Sequence, residues 1–100
     1  VIIDHNNFQQ TGSNKEIMNL DSLEKKWSSF NWKTQNIDGH NLEEIYSAVK
    51  DEEKDLPKAI IANTIKGKGF SFSENNNDWH HKIMTKSNYE EALKELKSND

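Results

Sequence analysis

The sequence predicts an α/β fold built on parallel strands. Three observations carry that prediction. Segments with strand character alternate with segments of helical periodicity. The most apolar segment, KAIIANTI, is rich in β-branched residues and nearly continuous in hydrophobicity, as a strand buried on both sheet faces requires. Each strand candidate is followed by a polar turn, DHNN, DGHN or KGKG. In an open parallel sheet, turns beyond the carboxyl ends of the strands share one rim, where ligands bind.

Taken in order, residues 1–3 form a short apolar run that stops at Asp4 and reads as a buried strand. The stretch DHNNFQQTGSN is a loop rich in turn formers. Leu20, Leu23, Trp27 and Phe30 then fall at helical spacing, with Asn19 as N-cap. Residues 32–37 read as a strand, and DGHN as a turn. Asn41 caps the next helix with Glu44 as capping-box partner, and Leu42, Ile45, Tyr46 and Val49 form its apolar stripe. Pro57 closes the connection to the KAIIANTI strand, and KGKGFSFSENNN is a long polar loop. Ser87 and Glu90 make a capping box for a last helix with Tyr89, Ala92, Leu93 and Leu96 on one side. The order is strand, helix, strand, helix, strand, loop, helix, which implies right-handed crossovers between parallel strands.

Composition narrows the function. One hundred residues make one small domain or part of a larger one. A net charge of −4 with both signs spread along the chain argues against a nucleic-acid surface. Lys supplies all the fixed basic charge, so bidentate Arg clamps on phosphate are absent. The lack of Cys excludes disulfides and thiolate chemistry and fits a cytoplasmic setting. No apolar run reaches membrane-spanning length. At 32% apolar residues the chain has little material for a core of its own, and it opens on Val1 inside a strand-like run. Both features predict part of a longer or partnered protein.

By themselves the polar motifs are ambiguous. Asn6 and Asn7 read as a tight turn, Lys66 and Lys68 as solvated lysines at a strand end. Asp38 and Gly39 read as structural, and His40 as part of the same turn, with no assigned chemistry. Adjacent His80 and His81 point in different directions on most backbones. With His5 and His40 distant in sequence and no Cys to help, a zinc site is not expected.

Read together, IIDHNNFQQTG, FNWKTQNIDGHN, PKAIIANTIKGKGFSF and ENNNDWHHK, in this order and spacing, resemble the thiamine-diphosphate-binding domain of transketolases. The similarity covers essentially the whole chain and is closest to the short kind whose pyrimidine half lies on another polypeptide. The resemblance implies a parallel-sheet thiamine-diphosphate fold, of which residues 1–100 are the C-terminal portion. It implies that Asn6, through its side-chain oxygen, and Phe8, through its carbonyl, ligate Mg²⁺, and that Gln10 lies near the cofactor. Oxygen donors of this kind suit a hard octahedral ion. It further implies that Lys66 approaches the diphosphate, with Gly67 and Gly69 letting the backbone come close, and that Lys68 stays on the surface.

DWHHK resembles the family's Trp-His-Gly-Lys segment, with His81 in place of the usual Gly. His80 then becomes the active-site histidine, able to donate hydrogen bonds and shuttle protons near the diphosphate and sugar hydroxyls. Lys82 attracts a sugar phosphate or supports the loop, and Trp79 anchors the loop by packing. The family's Gly-Asp-Gly, which supplies a third metal ligand, does not occur in this sequence. The fragment alone is therefore expected to be inactive. The activity implied for the intact enzyme is transfer of a two-carbon ketol unit from a ketose phosphate to an aldose phosphate. Its partner is a pyrimidine-domain polypeptide or the rest of its own chain, in a dimer or heterotetramer. The alternatives are another thiamine-diphosphate enzyme, either a deoxyxylulose-phosphate synthase or a 2-oxo-acid dehydrogenase component, or a noncatalytic transketolase-like remnant.

Overall fold

The computed structural model describes residues 1–51 and 55–98. Three strands, β1 (Ile2–His5), β4 (Lys33–Asp38) and β5 (Lys58–Asn63), form a wholly parallel sheet in the order β1-β5-β4. Between β1 and β4 lie a two-residue hairpin, β2 (Phe8–Gln9) with β3 (Gly12–Ser13), one helical turn, α1 (Asn14–Ile17), and α2 (Leu23–Ser29). Helix α3 (Leu42–Lys50) joins β4 to β5. After β5 a long loop contains a 3-10 turn (Asn77–His80) and leads to α4 (Lys86–Ser98). The expected α/β class, parallel pairing and order of the main elements are all present. The hairpin is an addition inside what reads in sequence as one polar loop, and α1 begins on that loop's last residue.

The central strand explains its own composition. β5 has neighbours on both edges, and Ala59, Ile60, Ile61 and Ala62 are all buried. Its two faces meet different helices. Thr34 and Asn36 of β4 bond α2, through Ser28 (3.0 Å) and Glu24 (2.8 Å). Ile37, one residue out of phase with them, joins Ile60, Ala62, Ala48 of α3 and Ile45 in the core cluster. Helices α2 and α3 therefore lie on opposite faces of the sheet, as right-handed crossovers running in opposite directions require.

The core is thin. Among the described residues, four of the seven buried apolar ones are alanines. The radius of gyration is 16.6 Å, against about 13 Å for a compact chain of this length. This flatness corrects several expectations. Val1 and Ile2 are each 60% exposed, because among the described residues β1 pairs through one edge only. On α3 only Ile45 and Ala48 turn to the sheet, while Leu42, Tyr46 and Val49 are exposed. On α4 only Ala92 is buried.

Helix starts also differ. Ser22, not Asn19, caps α2 and accepts from the Lys25 amide (3.2 Å). Asn19 instead bonds the backbone and carboxylate of Asp21. At the other end Phe30 is the C-cap of α2 and is exposed. Asn41 does cap α3, taking the Glu43 and Glu44 amides. Glu44 answers by accepting from the Asn41 side-chain amide (3.1 Å) and from the Asp38 backbone N–H (2.8 Å). The box before α4 forms two residues early: Thr85 Oγ1 accepts from the Asn88 amide, and Asn88 Oδ1 accepts from the Thr85 amide. Among the described residues no helix is long and apolar enough to cross a membrane.

Candidate functional site

The site is built where the three strands end. Parallel register sets His5 and Asp38 on either side of Asn63. Asn63 ties all three together: its Oδ1 meets His5 Nδ1 (3.1 Å), and its Nδ2 donates to the Ile37 carbonyl (3.2 Å). Thr64 then donates its hydroxyl to the Asp4 carboxylate and its amide to the His5 carbonyl (3.2 Å). The turn after β4 leans on the same place. The Gly39 amide donates to the Asn63 carbonyl (2.8 Å), and a Cβ on Gly39 would sit 2.4 Å from Thr64 Cγ2. The three polar turns thus converge on one rim.

On the β1 side, Asn6 Oδ1 accepts from the Phe8 amide (2.9 Å), closing an Asx turn around Asn7, whose φ is +65°. The Asn14 amide donates to the Asn7 carbonyl (2.8 Å), and Phe8 pairs with Ser13 in the hairpin. Asn6 is half-buried, and this turn fixes where its oxygen and the Phe8 carbonyl lie.

On the β5 side, the Lys66 carbonyl accepts from the Asn75 amide (2.9 Å), while no carboxylate among the described residues pairs with the Lys66 ammonium. Gly67 is left-handed (φ +71°), and a Cβ there would lie 2.3 Å from the Ser73 carbonyl oxygen. Buried Ser73 donates to the Gly67 carbonyl (2.8 Å). The space beside Gly67 is therefore filled by this chain's own loop. Gly69 (φ +107°) has nothing within 4 Å of where its Cβ would be. Lys68 is exposed.

The histidine loop is anchored by aromatic packing. Phe72 lies between Phe70 (5.7 Å between ring centres) and Trp79 (5.0 Å), and Trp79 Nε1 donates to the Phe72 carbonyl (3.0 Å). The Lys82 ammonium stands 5.1 Å from the Trp79 ring centre, a cation–π distance. His80 is exposed and meets His81 edge to face. His81 Nε2 lies 3.0 Å from Gln10 Nε2, and Asn77 Nδ2 donates to the Gln10 carbonyl (3.2 Å). Two contacts thus hold this loop against the Asn6 loop, and the Asn75 amide holds it against Lys66. No hydrogen bond among the described residues joins Asn6, Lys66 and His80 directly.

A groove of about 600 Å³ is lined by His5, Asn7, Asn14, Lys15, Asp21 and Leu23 among others. Asn6, Lys66 and His80 do not line it. Among the described residues no three His, Cys, Asp or Glu side chains cluster as a metal centre. An amide oxygen with a backbone carbonyl is a different donor set, suited to a hard ion. Sequence reasoning missed Asn63, Thr64, Ser73 and Asn75, which build the rim. The available signal was the Asn-Thr pair that interrupts an otherwise apolar strand.

The thiamine diphosphate binding domain of transketolase matches residues 1–99. The 6-deoxy-6-sulfo-D-fructose transketolase subunit SqwG of Clostridium sp. (strain MSTE9) is 44% identical over 95 residues, covering 93% of this chain and 34% of that protein. One of the subunits of the apulose-4-phosphate transketolase of Phocaeicola vulgatus is 36% identical over 97 residues, covering 95% and 34%. The transketolase of Homo sapiens is 33% identical over 97 residues, covering 97% and 15%. The chain spans about a third of the length of the first two relatives. A parallel sheet whose polar turns meet at one rim, joined to a family match over nearly every residue, shows that the chain belongs to the transketolase thiamine diphosphate binding domain family.

Proposed function

We propose that this chain forms the diphosphate side of the cofactor site in a transketolase that transfers a two-carbon ketol unit between sugars. The observation that carries this reading is the rim itself. The Asn6–Phe8 turn, the Lys66 turn and the His80 loop are held against one another by Thr64–Asp4, Asn75–Lys66 and His81–Gln10. Thiamine diphosphate, when bound, supplies the carbanion equivalent and the electron sink for carbon–carbon cleavage.

The residues of this chain hold and orient. The donors present, the Asn6 amide oxygen and the Phe8 carbonyl, fit Mg²⁺, which takes few protein oxygens alongside phosphate oxygens. Lys66, whose ammonium pairs with no carboxylate among the described residues, brings a compact point charge for a diphosphate to the same rim. Open space at Gly69 leaves the backbone accessible beside it. Gln10, whose carbonyl accepts from Asn77 of the histidine loop, is assigned to the surroundings of the cofactor. His80, exposed on an anchored loop, donates to a substrate hydroxyl or moves its proton. Lys82 extends the positive charge toward an anionic sugar terminus, and Trp79 holds the loop.

The rest of the site lies outside residues 1–100. The third metal ligand is assigned to a Gly-Asp-Gly segment and the cofactor's pyrimidine end to a second polypeptide, in keeping with relatives named as subunits. Their named sugars carry a sulfonate or a phosphate, so the substrate class is a sugar with a terminal anion.

The test is a product assay on the assembled enzyme, with xylulose 5-phosphate and ribose 5-phosphate as the first substrate pair. A seven-carbon ketose phosphate is expected, and its absence with every tested ketose donor overturns ketol transfer. His80→Ala should lower turnover about a hundredfold while changing cofactor affinity much less. Unchanged turnover removes His80 from the chemistry. Residues 1–100 alone should bind thiamine diphosphate with Mg²⁺ weakly, and micromolar affinity by calorimetry would show that the remaining parts matter little.

A further inference from the structure

We propose that His40 is a positioning residue that aims Lys66 at the rim by acting as a hydrogen-bond acceptor for the turn after β5. The inference rests on the reading of Lys66 as the diphosphate-side cation.

The geometry fixes the direction of the bond. The Ile65 backbone N–H lies 2.8 Å from His40 Nε2. A backbone N–H only donates and cannot turn over, so Nε2 is the unprotonated nitrogen and the ring proton sits on Nδ1. An imidazolium or the other tautomer would set two donors against each other.

The root of the imidazole is equally constrained. Asp38 Oδ1 accepts from the His40 amide (2.9 Å), and the Gly39 amide bonds the Asn63 carbonyl (2.8 Å). Gly39 can approach this closely only because it lacks the Cβ that Thr64 would meet. The ring is thus presented across the sheet end from a turn already docked on β5.

Its target is one link in a run of four residues, each held by a different residue: the first from the β1 side, the second from the β4 turn and the last two from the loop after β5. Thr64 is held by Asp4 and His5, Ile65 by His40, the Lys66 carbonyl by Asn75, and Gly67 by Ser73. Of these, the His40 bond is the one made to the residue immediately before Lys66 by a side chain from the β4 turn. Without it, the bond left to Ile65 among the described residues is the one from the Lys68 amide to its carbonyl (3.2 Å), made within the turn itself.

Two readouts in the assembled enzyme test this: hydrogen exchange at the Ile65 amide, and the thiamine diphosphate concentration giving half-maximal activity. Removing the acceptor with His40→Ala should speed exchange at Ile65 about tenfold and raise the half-saturating cofactor concentration by about as much, more than it lowers turnover. His40→Gln, whose Oε1 can stand near the lost Nε2, should restore both in large part. His40→Asn, of similar polarity but shorter, should behave as alanine does. The Gln and Asn pair decides the matter even where alanine prevents folding. Equal behaviour of Gln and Asn, or unchanged Ile65 exchange in both, overturns the acceptor role. Lys66→Ala separates the underlying reading. If it leaves cofactor half-saturation unchanged, Lys66 is not the diphosphate cation, and aiming Lys66 at cofactor fails with it. If it weakens cofactor while His40→Asn does not, the inference about His40 fails alone.

Discussion

Two regions of this chain are held together in opposite ways. At the strand ends, residues from all three strands interlock: Asn63 bonds to β1 and β4 at once, and residues 64–67 are each fixed by a separate partner. Beyond the aromatic cluster, α4 buries only Ala92 and returns to the loop through Glu95, which accepts from the Ser71 amide (2.8 Å) and hydroxyl. The first region is over-determined by short-range polar contacts on a rigid sheet. The second hangs on few attachments. The cofactor role proposed for the rim needs geometry held to fractions of an ångström, and the difference shows where this chain concentrates its constraints.

The sharpest break of the rim should come from Gly67→Ala. The new methyl would take a left-handed conformation and strike the Ser73 carbonyl at 2.3 Å, an atom of the backbone that cannot swing aside. Strain and overpacking together predict a loss of about 3 kcal/mol or more, measured as a lower denaturant midpoint of the intact protein. Gly69→Ala is the control. It carries a positive φ but meets nothing within 4 Å, so it should cost about 1–2 kcal/mol, from backbone strain alone. Equal losses at the two positions would mean that the contact with Ser73 does not hold the turn.

Next in size is Asn63→Ala, which removes the bonds to His5 and to the Ile37 carbonyl together. The expected loss is about 1–2 kcal/mol, with faster amide exchange at both flanking strand ends. A stability loss without change at His5 would show that Asn63 supports β4 only.

The contrast between regions also explains what the sequence could reveal. β5 was legible because a central strand must be apolar on both faces, and periodicity reports burial directly. The rim was legible as a place, since each polar turn follows a strand. Its bonds were not, because His40 with Ile65, Asn63 with His5 and Ser73 with Gly67 depend on register and loop path rather than on local pattern. Helix starts were misread where two caps compete. Asn19 and Ser22 are both good N-caps, and Asn19 satisfied itself on Asp21. Thr85-x-x-Asn88 and Ser87-x-x-Glu90 overlap as capping frames, and the earlier one formed. The apolar sides of α3 and α4 have helical spacing but only one or two buried residues each, since periodicity marks a face capable of burial and says nothing of what covers it.

The smallest expected effect concerns the looser region and is a matter of pH. The hydroxyl of Ser71, and then its amide, donate to Glu95 and hold its carboxyl below the ordinary glutamate range. A carboxyl whose folded pKa is lowered adds stability above its unfolded pKa and loses it as pH falls through the folded value. Attachment of α4 should therefore be complete at neutral pH and weaken as pH drops below roughly 4. Asp51, lowered by its bonds to Lys33 and Lys58, titrates in the same direction, so the overall acid transition cannot isolate Glu95. Amide exchange at Ser71 can. In Glu95→Gln it should be modestly faster at neutral pH, since a neutral amide oxygen is a weaker acceptor, and should lose its extra acid sensitivity once intrinsic exchange is subtracted. The rim amide at Ile65 should show neither change, because its acceptor lies on another turn. Parallel changes at Ser71 and Ile65 would mean that the two regions open as one unit and that their difference in bonding has no consequence for local stability.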